Sequence, residues 1–170
     1  MNINFINDGY GREIVQINGA KIKFPNFAGK AAKYNHQGDR NFVIKIDDPE
    51  IADALIEAGY NVSIKASKTE GEPPYMNLKV KVKFNPGHEK NGPFIYCVTR
   101  GKQTRLFPGD GEDDPLRDLD RITIDHADLD IAPNFWTDDF GEKRVTAYLR
   151  AIRVHQAITD RFAEEEYPEE

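Results

Sequence analysis

The feature that most constrains the fold is a run of residues with a period of two. Between Leu78 and Phe84, four apolar side chains alternate with Lys79, Lys81 and Lys83. Successive side chains of an extended strand point to opposite faces, so this run predicts a β-strand with one apolar and one cationic face. The apolar face would pack against a core, and the cationic face would meet either water or an anionic ligand.

Similar alternating runs occur along most of the chain, and each is bounded by Gly, Pro, Asn or Asp. This spacing predicts an antiparallel sheet of many strands. Gly101 and Lys102 stand where a tight hairpin turn would join two of them. The other predicted strands are Ile14–Ile17, Ala20–Phe24, Phe42–Ile46, Val62–Ala66, Phe94–Arg100, Gln103–Phe107, Arg121–Ile124 and Ala127–Ile131.

One helix is predicted within this β-rich chain, over about Asp48–Ala58. Asp48 can cap it, Pro49 suits its first position, and Gly59 can end it. An apolar stripe that includes Leu55 would face the core. Residues 143–162 fit both a strand and a helix, and we expect a strand to about Val154 followed by a short helix to Arg161.

Charge is divided unevenly along the chain. Residues 1–107 contain 16 Lys and Arg against 11 Asp and Glu, whereas residues 108–170 contain 7 against 18. The length of 170 residues and a hydrophobic content of 39% predict a single domain with its own core. We therefore expect one domain over residues 1–161 and a disordered acidic tail over residues 162–170.

The predicted elements indicate a fold class. A small antiparallel sheet with one short helix is typical of an OB-fold, in which the sheet closes into a barrel. The N-terminus lacks the pattern of a secretory signal, and no segment approaches the roughly 18 apolar residues that a membrane span needs. Cys97 is the one cysteine, so disulfides are excluded within the chain. We expect a soluble protein of a reducing cytoplasm.

Motifs for catalysis and metal binding are weak. On a strand, Asp125 would point away from His126, which would share its face with Asp128 and Asp130. The acidic segment 110–121 has Pro115 and Arg121 where a calcium loop requires glycine and glutamate. No phosphate-binding or nucleophile motif is present in the sequence. We therefore expect neither enzymatic activity nor a cofactor nor a metal.

Basic residues are interleaved with aromatic residues between Lys21 and Phe42. Cations neutralise phosphates and aromatic faces stack on unpaired bases, so this combination predicts a surface for single-stranded nucleic acid. Phe42 should be a core residue, since it is in register with Ile44. For Phe27 and Tyr34, core packing and base stacking are equal alternatives. The candidate binding residues are Lys21, Lys23, Phe27, Lys30, Lys33, Tyr34, Arg40, Lys45, Lys79, Lys81, Lys83, Arg100, Lys102 and Arg105.

Trp136 is the one tryptophan and lies in a turn flanked by acidic residues. We expect it to be a packing anchor beneath a loop rather than a platform for bases.

The segment Phe24–Phe42 resembles a pattern in phage and prophage proteins that bind single-stranded DNA through an OB-fold. In those proteins, as here, the segment leads into a strand, a helix start at Asp47–Glu50 and a turn at Gly59–Val62. The resemblance extends over roughly residues 12–155. It implies sequence-tolerant binding of single-stranded DNA during phage DNA replication or recombination, in the cytoplasm of a bacterial host.

By the same resemblance, the acidic tail would contact replication or recombination proteins. It ends in Pro168-Glu-Glu rather than in the terminal phenylalanine of the familiar pattern. An alternative function is that of a non-enzymatic phage protein that binds a host protein. Its acidic residues 108–142 would then imitate the charge of nucleic acid.

Overall fold

A computed structural model describes residues 1–158 of the chain. It contains nine strands, one α-helix and three short 3₁₀ helices in that range. The strands are β1 (Asn2–Asn7), β2 (Glu13–Asn26), β3 (Arg40–Ile46), β4 (Ser63–Lys65), β5 (Tyr75–Val82), β6 (Phe94–Thr99), β7 (Lys102–Leu106), β8 (Ile124–Thr137) and β9 (Lys143–Gln156). The helix is α1 (Pro49–Glu57), and the 3₁₀ helices are Glu89–Asn91, Gly111–Asp113 and Pro115–Asp120.

Five of the strands close into a barrel in the order β2, β3, β5, β9, β8 and back to β2. Neighbouring barrel strands are antiparallel, except that β5 and β9 run parallel. This closing pair involves two residue pairs, Val80 with Ala147 and Lys81 with Tyr148. Five strands closed in this way are the OB-fold architecture, so the predicted fold class is confirmed. The remaining strands extend the sheet beyond the barrel.

The barrel interior contains the apolar faces that the alternating runs predicted. Phe42, Ile44 and Ile46 of β3 are buried, and Leu78 and Val80 of β5 are buried beside them. Both ends of β3 are covered by helical segments: α1 follows its last residue, and the 3₁₀ helix at 115–120 packs near its first. The core therefore fills the barrel and continues under both helical segments.

Helix α1 confirms the predicted capping signals. The Asp48 carboxylate accepts a hydrogen bond of 2.9 Å from the Glu50 N–H, and Pro49 is the first helical residue. Ile51 and Leu55 are buried beneath it. The helix ends before Gly59, whose φ of +98° is one that L side chains rarely adopt.

Several strand boundaries differ from the predictions. The two runs at Ile14–Ile17 and Ala20–Phe24 belong to one long strand, β2, whose register shifts between Ile17 and Ala20 where it pairs with β8. The prediction of a strand at Arg121–Ile124 is wrong, because residues 121–123 form a turn and β8 begins at Ile124. Strand β9 confirms that residues 143–154 form a strand rather than a helix.

Two further predictions concern the end of the chain. The short helix to Arg161 does not begin by residue 158, and the rest of it lies outside the described residues. The acidic tail at 162–170 lies outside them altogether. Within the described range, no helix has the length and apolar character needed to cross a lipid bilayer.

Candidate nucleic-acid interface

Five lysines lie on one outer face of three adjacent barrel strands. Paired residues of neighbouring strands point to the same side of a sheet, and Lys21 of β2 pairs with Lys45 of β3. Val43 of β3 lies between Lys23 of β2 and Lys79 of β5 in the next row. We call Lys21, Lys23, Lys45, Lys79 and Lys81 the lysine face.

The lysine face follows from the alternation of the strands that carry it. Because Leu78, Val80 and Val82 point into the barrel, Lys79 and Lys81 must point out of it. The five ammonium groups have few acidic partners within the described residues: Lys45 lies 3.4 Å from the exposed Asp47 carboxylate. The face therefore presents concentrated positive charge on rigid strands.

An exposed aromatic ring borders the lysine face. Phe24 lies in β2 where the pairing with β3 shifts register, its backbone φ is +49°, and its side chain is 73% exposed. A positive φ is an outlier for a bulky residue and marks backbone held against its preference. Tyr75 of β5 is also exposed, and the Lys23 ammonium lies 5.4 Å from the centre of its ring. Neither Phe24 nor Tyr75 is among the binding residues predicted from the sequence.

The loop between β2 and β3, residues 27–39, is held together by its own hydrogen bonds. The side-chain amide of Asn35 donates to the carbonyl groups of Lys30, His36 and Asp39 at 2.8–3.2 Å. The Asn41 side chain in turn donates to Asn35 at 2.8 Å. Asn35 and Asn41 of the segment Phe24–Phe42 therefore have a structural role, because their side chains hold the loop in its shape.

Close backbone contact also fixes this loop. Gly29 has a φ of +65°, and a Cβ added to it would lie 2.9 Å from the carbonyl carbon of Gly38. The Gly38 N–H donates to the Gly29 carbonyl at 2.7 Å. The loop is thus a fixed platform, and its tip carries the exposed side chains of Lys30, Lys33 and Tyr34. Tyr34 is 86% exposed.

Two candidate residues of this region point inward. Phe27 has no exposed surface, and its ring stacks on Phe42 at 5.1 Å between centroids. Of the two alternatives for Phe27, the core one is therefore correct, and base stacking is wrong. Arg40 donates from one guanidinium nitrogen to Asp114 and to the Phe27 carbonyl, each at 2.6 Å, so this nitrogen is bound within the protein rather than presented to a phosphate. Its guanidinium completes a buried ion pair instead.

Three other predicted cations lie on the β6–β7 hairpin. Strands β8 and β9 separate this hairpin from β2, so Arg100 and Lys102 at its tip are not part of the lysine face. The Arg105 guanidinium lies between the rings of Phe94 and Phe107, 4.6 and 4.5 Å from their centres, and donates to the Lys90 carbonyl. Arg105 therefore holds the hairpin against the preceding loop.

Lys83, the last of the predicted residues, follows the end of β5 and is exposed. It borders a groove of about 1050 Å³. Tyr148 of β9 also lines this groove. Since Tyr148 pairs with Lys81, the groove continues from the lysine face around the barrel. Other cationic and aromatic residues that line it are Tyr10, Arg12, Phe94, Phe135 and Arg150.

The hairpin between β8 and β9 carries further exposed aromatic rings. Phe135 is 73% exposed and Phe140 is 91% exposed, while Trp136 is 47% exposed and donates from its indole to Thr146 at 2.9 Å. The prediction that Trp136 is a packing anchor beneath a loop does not fit this exposure. Asp138 closes the hairpin, and its hydrogen bond from the Glu142 N–H lowers the pKa of its carboxyl.

Part of the acidic segment serves the fold. Asp114 is buried against Arg40, and Asp120 accepts from the N–H groups of Phe27 and Ala28 at 2.7 and 3.0 Å. These carboxylates anchor the 3₁₀ helix at 115–120 to the loop at 27–39. Carboxylates that face inward cannot imitate the charge of nucleic acid. Asp114 and Asp120 therefore cannot contribute to the alternative function, in which acidic residues 108–142 bind a host protein.

The arrangement agrees with where barrels of this class bind oligonucleotides. OB-folds use the face of their second and third barrel strands together with the loops that join strands one to two and four to five. In this barrel those strands are β3 and β5. The corresponding loops are residues 27–39 and the β8–β9 turn at 138–142. The lysine face and both groups of exposed aromatics therefore lie in the expected places.

Comparison with known proteins agrees with this fold. A sequence model of the family described as "Putative phage ssDNA-binding domain" matches residues 8–169. No curated protein sequence matches the chain. The structure is similar to that of the single-stranded DNA-binding protein from bacteriophage Enc34 with a C-terminal truncation, with a TM-score of 0.50 and 10% identity over 92% of this chain and 96% of that one.

Two further solved structures are similar at lower scores. The Enc34 protein in complex with ssDNA has a TM-score of 0.49 and 10% identity, over 87% of this chain and 89% of that one. The single-stranded DNA-binding protein gp2.5 of bacteriophage T7 has a TM-score of 0.43 and 12% identity, over 94% and 96%.

Proposed function

Because this chain belongs to the family of phage ssDNA-binding domains, we propose that it binds single-stranded DNA with little sequence preference in phage DNA replication or recombination. The observation that carries the proposal is the lysine face on β2, β3 and β5. We infer that it acts as a binding protein rather than as an enzyme.

The lysine face would supply the electrostatic part of the affinity. Each ammonium that neutralises a phosphate releases condensed counterions, so binding should weaken with added salt. The face is formed by the strands β2, β3 and β5 rather than by a helix of the kind that enters the major groove of duplex DNA. Lysines that contact phosphates carry no sequence information, which is the reason for expecting sequence tolerance.

Exposed aromatic rings on either side of the face would supply base stacking. Tyr34 projects from the fixed loop at 27–39, Phe24 borders the lysines directly, and Trp136 lies on the β8–β9 hairpin. A stacked base contributes about 1–3 kcal/mol whatever its identity. A duplex cannot offer its bases to such rings, so this part of the affinity is reserved for single strands.

The groove past Lys83 would extend the path of the strand. It contributes Arg12 and Lys83 beyond the five lysines, and Tyr148 connects the two surfaces. Asp8 lies 3.9 Å from Arg150 in the same region, so that arginine is partly neutralised. We therefore assign the groove a secondary part in binding.

The test of the proposed function is a comparison of single and double strands. A fluorescently labelled oligo-dT and a duplex of equal length are titrated with the protein, and anisotropy is measured at low and high salt. We expect at least about tenfold tighter binding of the single strand, since only unpaired bases reach the aromatic rings. Equal affinity for both, or binding to neither, would contradict the proposal and favour a host-protein partner.

Trp136 offers an internal probe of the stacking. It is the one tryptophan of the chain, so its fluorescence reports on the β8–β9 hairpin alone. We expect quenching when oligo-dT binds. Phe24→Ala and Tyr34→Ala should each weaken binding about 5- to 150-fold, the equivalent of one lost stacking contact. Phe5→Ala is a matched control, since Phe5 is 40% exposed and lies on β1, outside both the lysine face and the groove.

We further propose a role for the acidic end of the chain. The eight residues 163–170 include five glutamates and no basic residue. Such a segment can compete with DNA for a cationic face at low salt, and it can contact replication or recombination proteins once DNA displaces it. The experiment is deletion of these residues, described below.

A further inference from the structure

A second cluster of polar side chains lies on the outer face of β8 and β9, next to Lys21 of the lysine face. His126 and Asp128 lie two residues apart on β8, and His155 of β9 pairs with His126 across the ladder. The two imidazole rings stack with their centres 4.1 Å apart and their planes inclined by 13°. The proposed function uses none of these residues.

The three side chains converge on one point. One possible ligand atom from each lies within 4.8 Å of the other two. The Asp128 Oδ2 oxygen is already 3.1 Å from the His155 Nε2 nitrogen. Ligands of a tetrahedral zinc ion stand about 3.3 Å apart at zinc–ligand distances of about 2.0–2.1 Å, and the ion lies in the plane of each ligating imidazole. One of the two stacked rings must therefore rotate out of the stack to bring all three ligands onto one ion.

Neighbouring residues hold the side chains of His126 and Asp128 by hydrogen bonds of the kind that support the ligands of metal sites. The Asp125 Oδ2 oxygen lies 2.6 Å from the His126 Nδ1 nitrogen, which leaves Nε2 of that ring available as a ligand. The Gly19 N–H of β2 donates to Asp128 Oδ1 at 2.9 Å and leaves Oδ2 facing the histidines. Carboxylates behind ligating histidines and hydrogen bonds behind ligating carboxylates are the usual supporting contacts of zinc centres.

The site is also accessible. The side chains of His126, Asp128 and His155 are 35%, 29% and 27% exposed, so an ion and a water molecule can reach them. The Lys21 ammonium adjoins the site, since it donates to the Asp125 backbone carbonyl at 2.8 Å. Two imidazoles and one carboxylate suit zinc and its neighbours in the first transition row better than magnesium or calcium.

We propose that His126, Asp128 and His155 bind a zinc ion, with water in the fourth position. Spacing in the sequence does not indicate this site, because its third ligand, His155, lies 27 residues beyond Asp128 and is brought near only by the β8–β9 pairing. The ion would join β8 to β9 and, through Gly19, fix both against β2. It would thereby clamp the barrel at the end where Lys21 and Lys45 lie.

The test is a zinc titration of the full chain without a histidine tag. We expect one Zn²⁺ per chain by isothermal titration calorimetry, with a rise in the thermal unfolding midpoint on adding the ion. His155→Ala removes a ligand and should weaken binding at least about 100-fold, and Asp125→Asn, which removes a supporting contact, about 10- to 100-fold. The control is His88→Ala, whose side chain is exposed and makes no capping hydrogen bond.

Three results would overturn the proposal. They are no Zn²⁺ binding to the unaltered chain at millimolar ion, unchanged affinity in His155→Ala, or an equal loss in His88→Ala. Asp125→Asn guards against a folding defect in the ligand variant, because Asp125 is exposed and the circular dichroism of that variant should match the unaltered chain. None of these readouts requires DNA, so they stand apart from the proposed function.

Discussion

Removing Lys79 and Lys81 together should change the salt dependence of DNA binding while leaving the fold intact. Both side chains point away from the core, whereas Leu78 and Val80 between them are buried. Each phosphate contact contributes about 0.7 to the slope of log K against log salt for a single strand, so five lysines give a slope of about 3.5. The double alanine variant should have a slope of about 2.1 if each lysine contacts one phosphate.

The difference is large enough to measure. Between about 50 and 200 mM salt, a slope of about 3.5 corresponds to a loss of about 130-fold in affinity, and a slope of about 2.1 to about 18-fold. The assay is anisotropy of labelled oligo-dT at four or more salt concentrations.

The matched control is Lys90→Ala with Lys102→Ala, which removes the same charge from exposed sites outside the lysine face. Its slope should equal that of the unaltered chain. Equal slopes for the lysine-face variant and the unaltered chain, or an equal decrease in the control, would refute the assignment of the face.

Three other predictions test separate parts of the structure. Arg40→Ala leaves the buried Asp114 carboxylate without its cation and should reduce the free energy of unfolding by about 3–5 kcal/mol. The affinity for oligo-dT under native conditions should change little. A large loss of affinity without destabilisation would mean that Arg40 contacts phosphate. The pKa of Asp138 is held below 3.8 by the Glu142 N–H and by Arg144, so its stabilisation is present above pH 3.8 and is lost as the pH falls through the lowered value. Thermal unfolding of Asp138→Asn should therefore differ from the unaltered chain near neutral pH and converge with it in acid, and a difference that persists in acid would mean that the charge is not the cause. Deletion of residues 163–170 should tighten oligo-dT binding at low salt and have no effect at high salt, since exposed charges are screened within about 8 Å at physiological ionic strength. Unchanged affinity at every salt concentration would show that these residues do not compete with DNA for the lysine face, and only their proposed contact with other proteins would remain.

The fold was predictable because its signals are local. Leu78, Val80 and Val82 alternate with lysines, and Asp48 with Pro49 marks the start of α1, so each element is specified by adjacent residues. The missed features depend on distant contacts. Residues 121–123 form a turn because the 3₁₀ helix at 115–120 precedes them, and that helix is held by Asp120 against the backbone of Phe27.

The candidate site was predictable in part, for the same reason. Lys79 and Lys81 follow from the alternation of one strand. The inward direction of Arg40 does not, because its partner Asp114 lies 74 residues away in the sequence. Phe24 and Trp136 could not be separated from core aromatics by pattern alone, since their exposure results from a bulge in one case and a long hairpin in the other.

The short parallel pairing of β5 with β9 has a consequence for how the protein is made. The barrel closes only through residues 147 and 148 of β9, which follows the lysine-face strands β2, β3 and β5 in the chain. A ribosome therefore releases the strands of the lysine face well before their closing partner, and contacts between such distant segments form slowly. We expect the nascent basic half to remain unclosed until β9 has left the ribosome, so that competence to bind DNA arises only once residues 147 and 148 are available to pair.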